Sequence, residues 1–166
     1  MLMRLFLYLK FLLKSTNEHG VHSPFVFNYI TQCLYKKPRK SKTKTLDILL
    51  KSSSYFSFKT IKVIGSPDYE KIIENHFPQE NDSPKNIDLL YLNSSLKLNK
   101  EQLFIEFKLK NDSLILIDNI YKTKEEYATW NDLVASKKVA VSIDMYYCGV
   151  LSIRKEQEKE HFTIRI

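Results

Sequence analysis

Glycine is nearly missing from this chain: in 166 residues there are three, Gly20, Gly65 and Gly149. Loops that wrap a phosphate or a dinucleotide bring bare backbone against the ligand and need glycine to do it. The chain accordingly has no Walker loop, no GxGxxG run and no GxSxG elbow. The local signatures of nucleotide hydrolysis, dinucleotide binding and serine-nucleophile chemistry are therefore absent. Cysteine is as scarce. Cys33 and Cys148 lie far apart in apolar settings with no CxxC pair, so they read as small buried hydrophobes of a reducing, cytoplasmic compartment. Long apolar runs are missing too. Met1 to Lys14 is the most apolar stretch, but a helix of that length rises about 20 Å against a hydrocarbon core of roughly 30 Å. Lys10 interrupts it and no small-residue cleavage site follows, which predicts a packed or interfacial helix rather than a membrane span or a secretory signal.

What is present suits one folded domain with one core: the residues are 43% hydrophobic and 13% aromatic. The formal charge of +7 is local. Lys36, Lys37, Arg39, Lys40, Lys42 and Lys44 crowd one short segment that has no acid, so the rest of the chain is nearly neutral. Such a segment is either a solvated linker or a patch for nucleic acid or an anionic membrane. No aromatic residue interleaves the cations, which weighs against stacking on bases.

The apolar spacing divides the chain into a helical arm with its basic linker (residues 1–58) and an α/β core (residues 59–166), together one structural domain. Ser23 is placed to cap a helix with Pro24 at its first position, and Phe25, Val26, Tyr29, Ile30, Cys33 and Leu34 supply its apolar face. A further helix near Thr45 to Ser53 offers Leu46, Leu49 and Leu50 to the core. Thr60 to Ile64 reads as a strand ending at Gly65, followed by a helix from Pro67 with Tyr69, Ile72, Ile73 and Phe77 inward. Ile87 to Leu92 and Ser113 to Ile117 are the next strands, the second apolar enough to be covered on both faces. Asn99 with Gln102, and Thr123 with Glu126, have capping-box spacing. Tyr127, Trp130, Leu133 and Val134 form the face of the helix after Thr123, and Val139 to Ile143 returns to the sheet. Cys148 to Ile153 and Phe162 to Ile166 read as an antiparallel hairpin joined by a charged loop. Alternating strands and helices imply a mostly parallel sheet with right-handed crossovers, and the hairpin would add an antiparallel edge.

Ligands of open α/β sheets sit beyond the carboxyl ends of the strands. Gly65 and Ser66, Asn93 to Ser95, Asp118 with Asn119, and Asp144 occupy those positions. Asp118 is the most suggestive, although an acid there also simply begins a turn. His19 and His22 could give a metal two ligands and no spacing indicates a third; the imidazoles are expected to brace the turn between the first two helices through backbone hydrogen bonds, with no metal.

Residues 18–27, Glu-His-Gly-Val-His-Ser-Pro-Phe-Val-Phe, with His19, Gly20, His22, Ser23, Pro24 and Phe25 as the motif, resemble the N-terminal signature of a group of class I S-adenosylmethionine-dependent methyltransferases common in Bacteroidetes-type bacteria. The resemblance continues at residues 87–92 and 115–120, at Trp130, and through residues 141–144 and 149–162. It implies a reduced Rossmann-like fold and a site in which Gly65, Asn93, Asp118 and Asn119 are what remains of the cofactor-binding positions. The family's first strand ends in an acidic, glycine-rich turn, whereas Thr45 to Phe58 holds no glycine. The family's ribose-gripping acid corresponds to Ile64, the later acid to Asn93, and the acidic pair to Asp118-Asn119. The resemblance thus implies a methyltransferase, while the residues imply a relative that has lost S-adenosylmethionine binding and acts by binding or assembly. An active enzyme with a pocket rearranged around Asp118 and Asn119, and a basic surface-binding module, are the alternatives. A shortened sheet could also leave an edge or apolar face for a second copy or a protein partner.

Overall fold

Strands β1 (Ile61–Ile64), β2 (Ile87–Asn93), β3 (Leu109–Asp118), β4 (Val141–Asp144), β5 (Cys148–Ser152) and β6 (Glu160–Thr163) form one sheet in the order β1-β2-β3-β5-β4-β6. The computed structural model describes residues 2–78, 86–96 and 100–166. The helices are α1 (Leu2–Lys14), α2 (Pro24–Tyr29), α3 (Lys44–Tyr55), α4 (Pro67–His76), α5 (Lys100–Glu106) and α6 (Lys124–Ala135). A π turn over Ile30–Leu34 extends α2. The period-2 alternation of the strands divides the core between the two faces. Leu89, Tyr91, Leu114 and Leu116 face α2, α3 and α4, whereas Leu90, Leu92, Ile115 and Ile117 face α5 and α6. This is the α/β architecture that the alternation of elements implies: a mostly parallel, Rossmann-like sheet with an N-terminal helical region.

Most local signals are realised where they were read. Ser23 accepts the Val26 amide at 3.5 Å and Thr123 accepts the Glu126 amide at 3.2 Å, each at a helix start. The Glu126 carboxylate does not reach back to complete the box but accepts from the Ser94 hydroxyl at 3.1 Å. The Asn99 cap lies outside the described residues. Leu103 is fully buried and Ile105 is exposed, which is the pattern of a helix, so the alternation in that segment does not make a strand.

The tail differs from expectation. β5 does not form a hairpin with the last strand: it is inserted antiparallel between β3 and β4, and its hairpin partner is β4, through the turn at Met145 to Tyr147. β6 pairs parallel with the outer side of β4, with Phe162 beside Ile143. Phe162 and Ile164 are both buried in the core beneath α2 and α3, and only the far side of β4 puts them there. The antiparallel strand is thus internal, and the charged loop carries the chain past β4. The edge of β6 is covered in turn by the segment after α1, where the Thr16 amide donates to Thr163 at 2.9 Å and the Arg165 amide donates back to Thr16 at 3.1 Å.

α3 is buried more fully than its apolar spacing indicates. Nine consecutive residues, Thr45 to Ser53, are buried, including the ion pair of Asp47 with Lys51 at 2.8 Å. Ser52 meets the Tyr29 hydroxyl at 2.7 Å, so the polar side of α3 faces partners rather than water.

Gly149 is a close-approach glycine. A Cβ at that position would fall 2.3 Å from the ring of Trp130, which is itself buried. Gly149→Ala should therefore overpack the α6 face and cost about 1–3 kcal/mol. A lower urea midpoint with an unchanged denaturant slope is the expected result.

Candidate functional site

The fold brings the expected positions to one rim. Asn93 pairs with Asp118 across β2 and β3, and Gly65 follows Ile64, which pairs with Leu92 on the other side of β2. The surrounding side chains determine what that rim can do.

Asp118 is buried and has both carboxylate oxygens bonded. Oδ1 accepts from the Thr45 hydroxyl of α3 at 2.7 Å, and Oδ2 accepts from the Tyr91 hydroxyl of β2 at 3.1 Å. Burial, together with the charge of Asp118, pushes the Tyr91 phenol far above its ordinary range, so it remains a proton donor. The Cys148 thiol is raised by burial and then by the Asp118 charge, and burial lifts Cys33 to about 12. Neither thiol is a nucleophile at neutral pH.

Gly65 adopts φ +79°, a backbone conformation that glycine allows without strain. The space its missing side chain leaves is already occupied: a Cβ there would lie 2.9 Å from the Asn93 Cβ and 3.0 Å from Leu96 Cδ1. Asn93 Oδ1 accepts its neighbour's amide, that of Ser95, at 3.1 Å. Asn119, at φ +53°, is a turn residue whose amide donates to Tyr147 at 2.7 Å. Between the end of β2 and α6 lies a cavity of about 20 Å³, lined by Asn93, Ser94, Glu126 and Trp130 among others. That is room for about one water, and Glu126 Oε2 is buried there with no hydrogen-bond partner among the described residues.

Asp144, at the end of β4, belongs to a cluster that spacing did not reveal. Its Oδ2 accepts from the Tyr121 hydroxyl at 2.6 Å and its Oδ1 accepts the Tyr146 amide at 2.9 Å. Tyr121 stacks on Tyr127 at 4.6 Å and on Tyr146 at 5.1 Å. Tyr8 and Phe11 of α1 close over Tyr146 at 4.8 and 5.5 Å. α1 is therefore a packed helix on this face, while Leu5, Phe6, Leu9 and Leu13 remain exposed on its other side.

The histidine motif is a joint of the scaffold. His19 is exposed and lies near the Glu18 carboxylate at 3.6 Å, and His22 is exposed. Among the described residues neither imidazole donates to or accepts from the turn backbone; the Asn17 side chain does the bracing, accepting the His19 amide at 3.2 Å. Its other members pack: Gly20 lies against Thr16, Val21 is buried, Ser23 caps α2, and Phe25 lies under the Arg154 guanidinium at 5.3 Å. Among the described residues no three His, Cys, Asp or Glu side chains gather as metal ligands.

The basic segment is only partly tied down. The Lys40 amide donates to Asp47 at 2.5 Å, and its ammonium donates to the Ser54 hydroxyl. Lys44 donates to the Ile166 carbonyl at 2.8 Å and sits over the Tyr147 ring. Lys36, Lys37, Arg39 and Lys42 form no salt bridge among the described residues.

Two measurements check these roles. Asp118→Ala strands the Thr45 and Tyr91 hydroxyls and should cost about 1–3 kcal/mol of unfolding free energy, with Asp118→Asn costing less because it keeps an acceptor. Burial raises the Asp144 carboxyl, outweighing the hydrogen bonds from Tyr121 and Tyr146 that lower it. Its contribution to stability is therefore full below the ordinary aspartate range and is lost as pH rises through the raised value. Thermal melts of Asp144→Asn should accordingly gain on the parent between acidic and neutral pH. No family model matches the chain, and no curated protein or solved structure matches it.

Proposed function

We propose that this chain is a methyltransferase-like α/β protein that neither binds S-adenosylmethionine nor transfers a methyl group, and that acts through binding or assembly. The observation that carries this reading is the state of Asp118, the acid best placed to meet a ligand. Each of its oxygens accepts a hydrogen bond from within the protein, from Thr45 of α3 and from Tyr91, and the side chain is buried, so the carboxylate is turned toward the scaffold rather than open to a ligand.

The donor's other requirements are unmet by the same rim. Ribose hydroxyls need an acceptor, and the corresponding position holds the branched alkyl group of Ile64; each unpaired hydroxyl would cost about 1–3 kcal/mol. A methionine moiety needs backbone free of side chains, whereas the room beside Gly65 is filled by Asn93 and Leu96. These residues do not fit the donor.

Calorimetric titration of the intact chain with S-adenosylmethionine tests the proposal. The expected result is no saturable heat up to about millimolar donor; saturable binding near micromolar would overturn it.

A further inference from the structure

Along the sequence no aromatic residue interleaves the cations of the basic segment, and the fold supplies one from elsewhere. Lys36, Lys37 and Lys40 run along the C-terminal half of α3. Between them opens a cleft of about 370 Å³ lined by Lys36, Lys37, Lys40, Lys51, Ser54 and Tyr55, and no acidic residue lines it. That volume lies in the range of small-ligand sites, roughly 300–1,000 Å³.

The side chains differ in how far they are committed. Lys51 is buried, paired with Asp47 and bonded to the Leu34 carbonyl at 3.2 Å, so it belongs to the floor. Lys40 donates to the Ser54 hydroxyl on the wall. Lys36 and Lys37 are exposed and pair with no carboxylate among the described residues. They form a ridge shared with a second hollow of about 320 Å³, where Arg39 and Lys44 add two more cations. The acid in that hollow, Asp47, is already held by Lys51 and the Lys40 amide. Cations therefore line both sides of the ridge.

Tyr55 is the aromatic ring on the rim of the cleft. Its ring meets Phe56 edge-on at 4.8 Å and Tyr29 at 6.3 Å, yet 37% of the residue stays exposed. Charge alone suits any polyanion, but a braced aromatic ring beside uncommitted ammoniums is the pairing that binds a stacked base together with its phosphate.

We infer that the cleft between Lys36–Lys40 and the end of α3 binds a nucleotide unit, with its base on Tyr55 and its phosphate on Lys36, Lys37 and Lys40. The unit is supplied as a free nucleoside phosphate or within a single strand. Tyr55 lies ten residues along α3 from Thr45, about 15 Å by helix rise. The site is thus separate from Asp118 and does not rest on the fate of the methyl donor.

The test uses the intact chain, with anisotropy of a labelled oligothymidylate and calorimetry of adenosine triphosphate, each over a salt series. Binding should weaken steeply with salt. Tyr55→Ala should lose about tenfold in affinity, while Tyr55→Phe keeps it; should Tyr55→Ala fail to fold, Tyr55→Leu, which keeps the bulk without the π face, decides instead. The double variant Lys36→Ala/Lys37→Ala should bind more weakly with a shallower salt dependence. The control Lys137→Ala/Lys155→Ala removes equal charge from a different hollow and should change little. A preference for the oligonucleotide identifies a strand as the source, and a preference for the triphosphate identifies a free nucleotide. Absence of binding to both probes overturns the inference. So does unchanged affinity in a folded Tyr55→Ala or Tyr55→Leu protein, or displacement of the oligonucleotide by inorganic triphosphate or phosphatidylserine vesicles as effectively as by adenosine triphosphate.

Discussion

A buried carboxylate holds the centre of this molecule together. Taking Asp118 out of water costs several kcal/mol, and the charge is tolerated because Thr45 and Tyr91 each give it a hydrogen bond. Those two bonds join α3 to β2 and β3 and seat the helix over the strand ends. With α3 seated, its polar side must be satisfied internally, by Asp47 with Lys51 and by Ser52 with Tyr29. Asp47 in turn fixes the Lys40 amide, which lays the basic segment along the helix. The carboxylate at the end of β3 thus helps shape a cleft at the far end of α3.

How much of this could be read in advance depended on how local the cause was. The caps at Ser23 and Thr123 and the apolar run of β3 act within a few residues, and they were legible. β6 was not: alternation shows that Phe162 and Ile164 need a buried face, but both sides of the sheet's far end satisfy alternation equally. The complete burial of α3 was hidden because Asp47, Lys51, Ser52 and Ser53 read as a solvent face until their partners are known. Asp118 was correctly placed at a strand end, yet its hydrogen bonds come from residues 27 and 73 positions away. Tyr55 next to the lysines is the same kind of case, since a helix and a turn intervene. The one signal available beforehand was the density of tyrosine, ten in the chain, of which Tyr29, Tyr91 and Tyr121 each use the hydroxyl in a contact with another side chain.

The residues that carry the resemblance at the start of the chain have a physical account of their own. Gly20 packs on Thr16, Thr16 bridges to the last strand, Ser23 reaches Gln157 in the charged loop at 3.2 Å, and Phe25 lies beneath Arg154. Together they form the joint between the helical arm and the far edge of the sheet. These contacts serve the architecture, and none of them involves the candidate positions at the strand ends.

The solitary reversed strand β5 also governs how the protein assembles. β3 reaches its neighbour on that side only through residues 148–152, and β4 has no path to the rest of the sheet except through the same strand. As the chain emerges during synthesis, β1, β2 and β3 can pair early and then wait with an apolar edge unfilled. When β5 arrives it joins both halves of the sheet at once, and β6 and the Thr16 clasp follow. Until β5 is in place nothing joins β3 to β4, and the sheet is two separate parts, β1-β2-β3 and β4-β6.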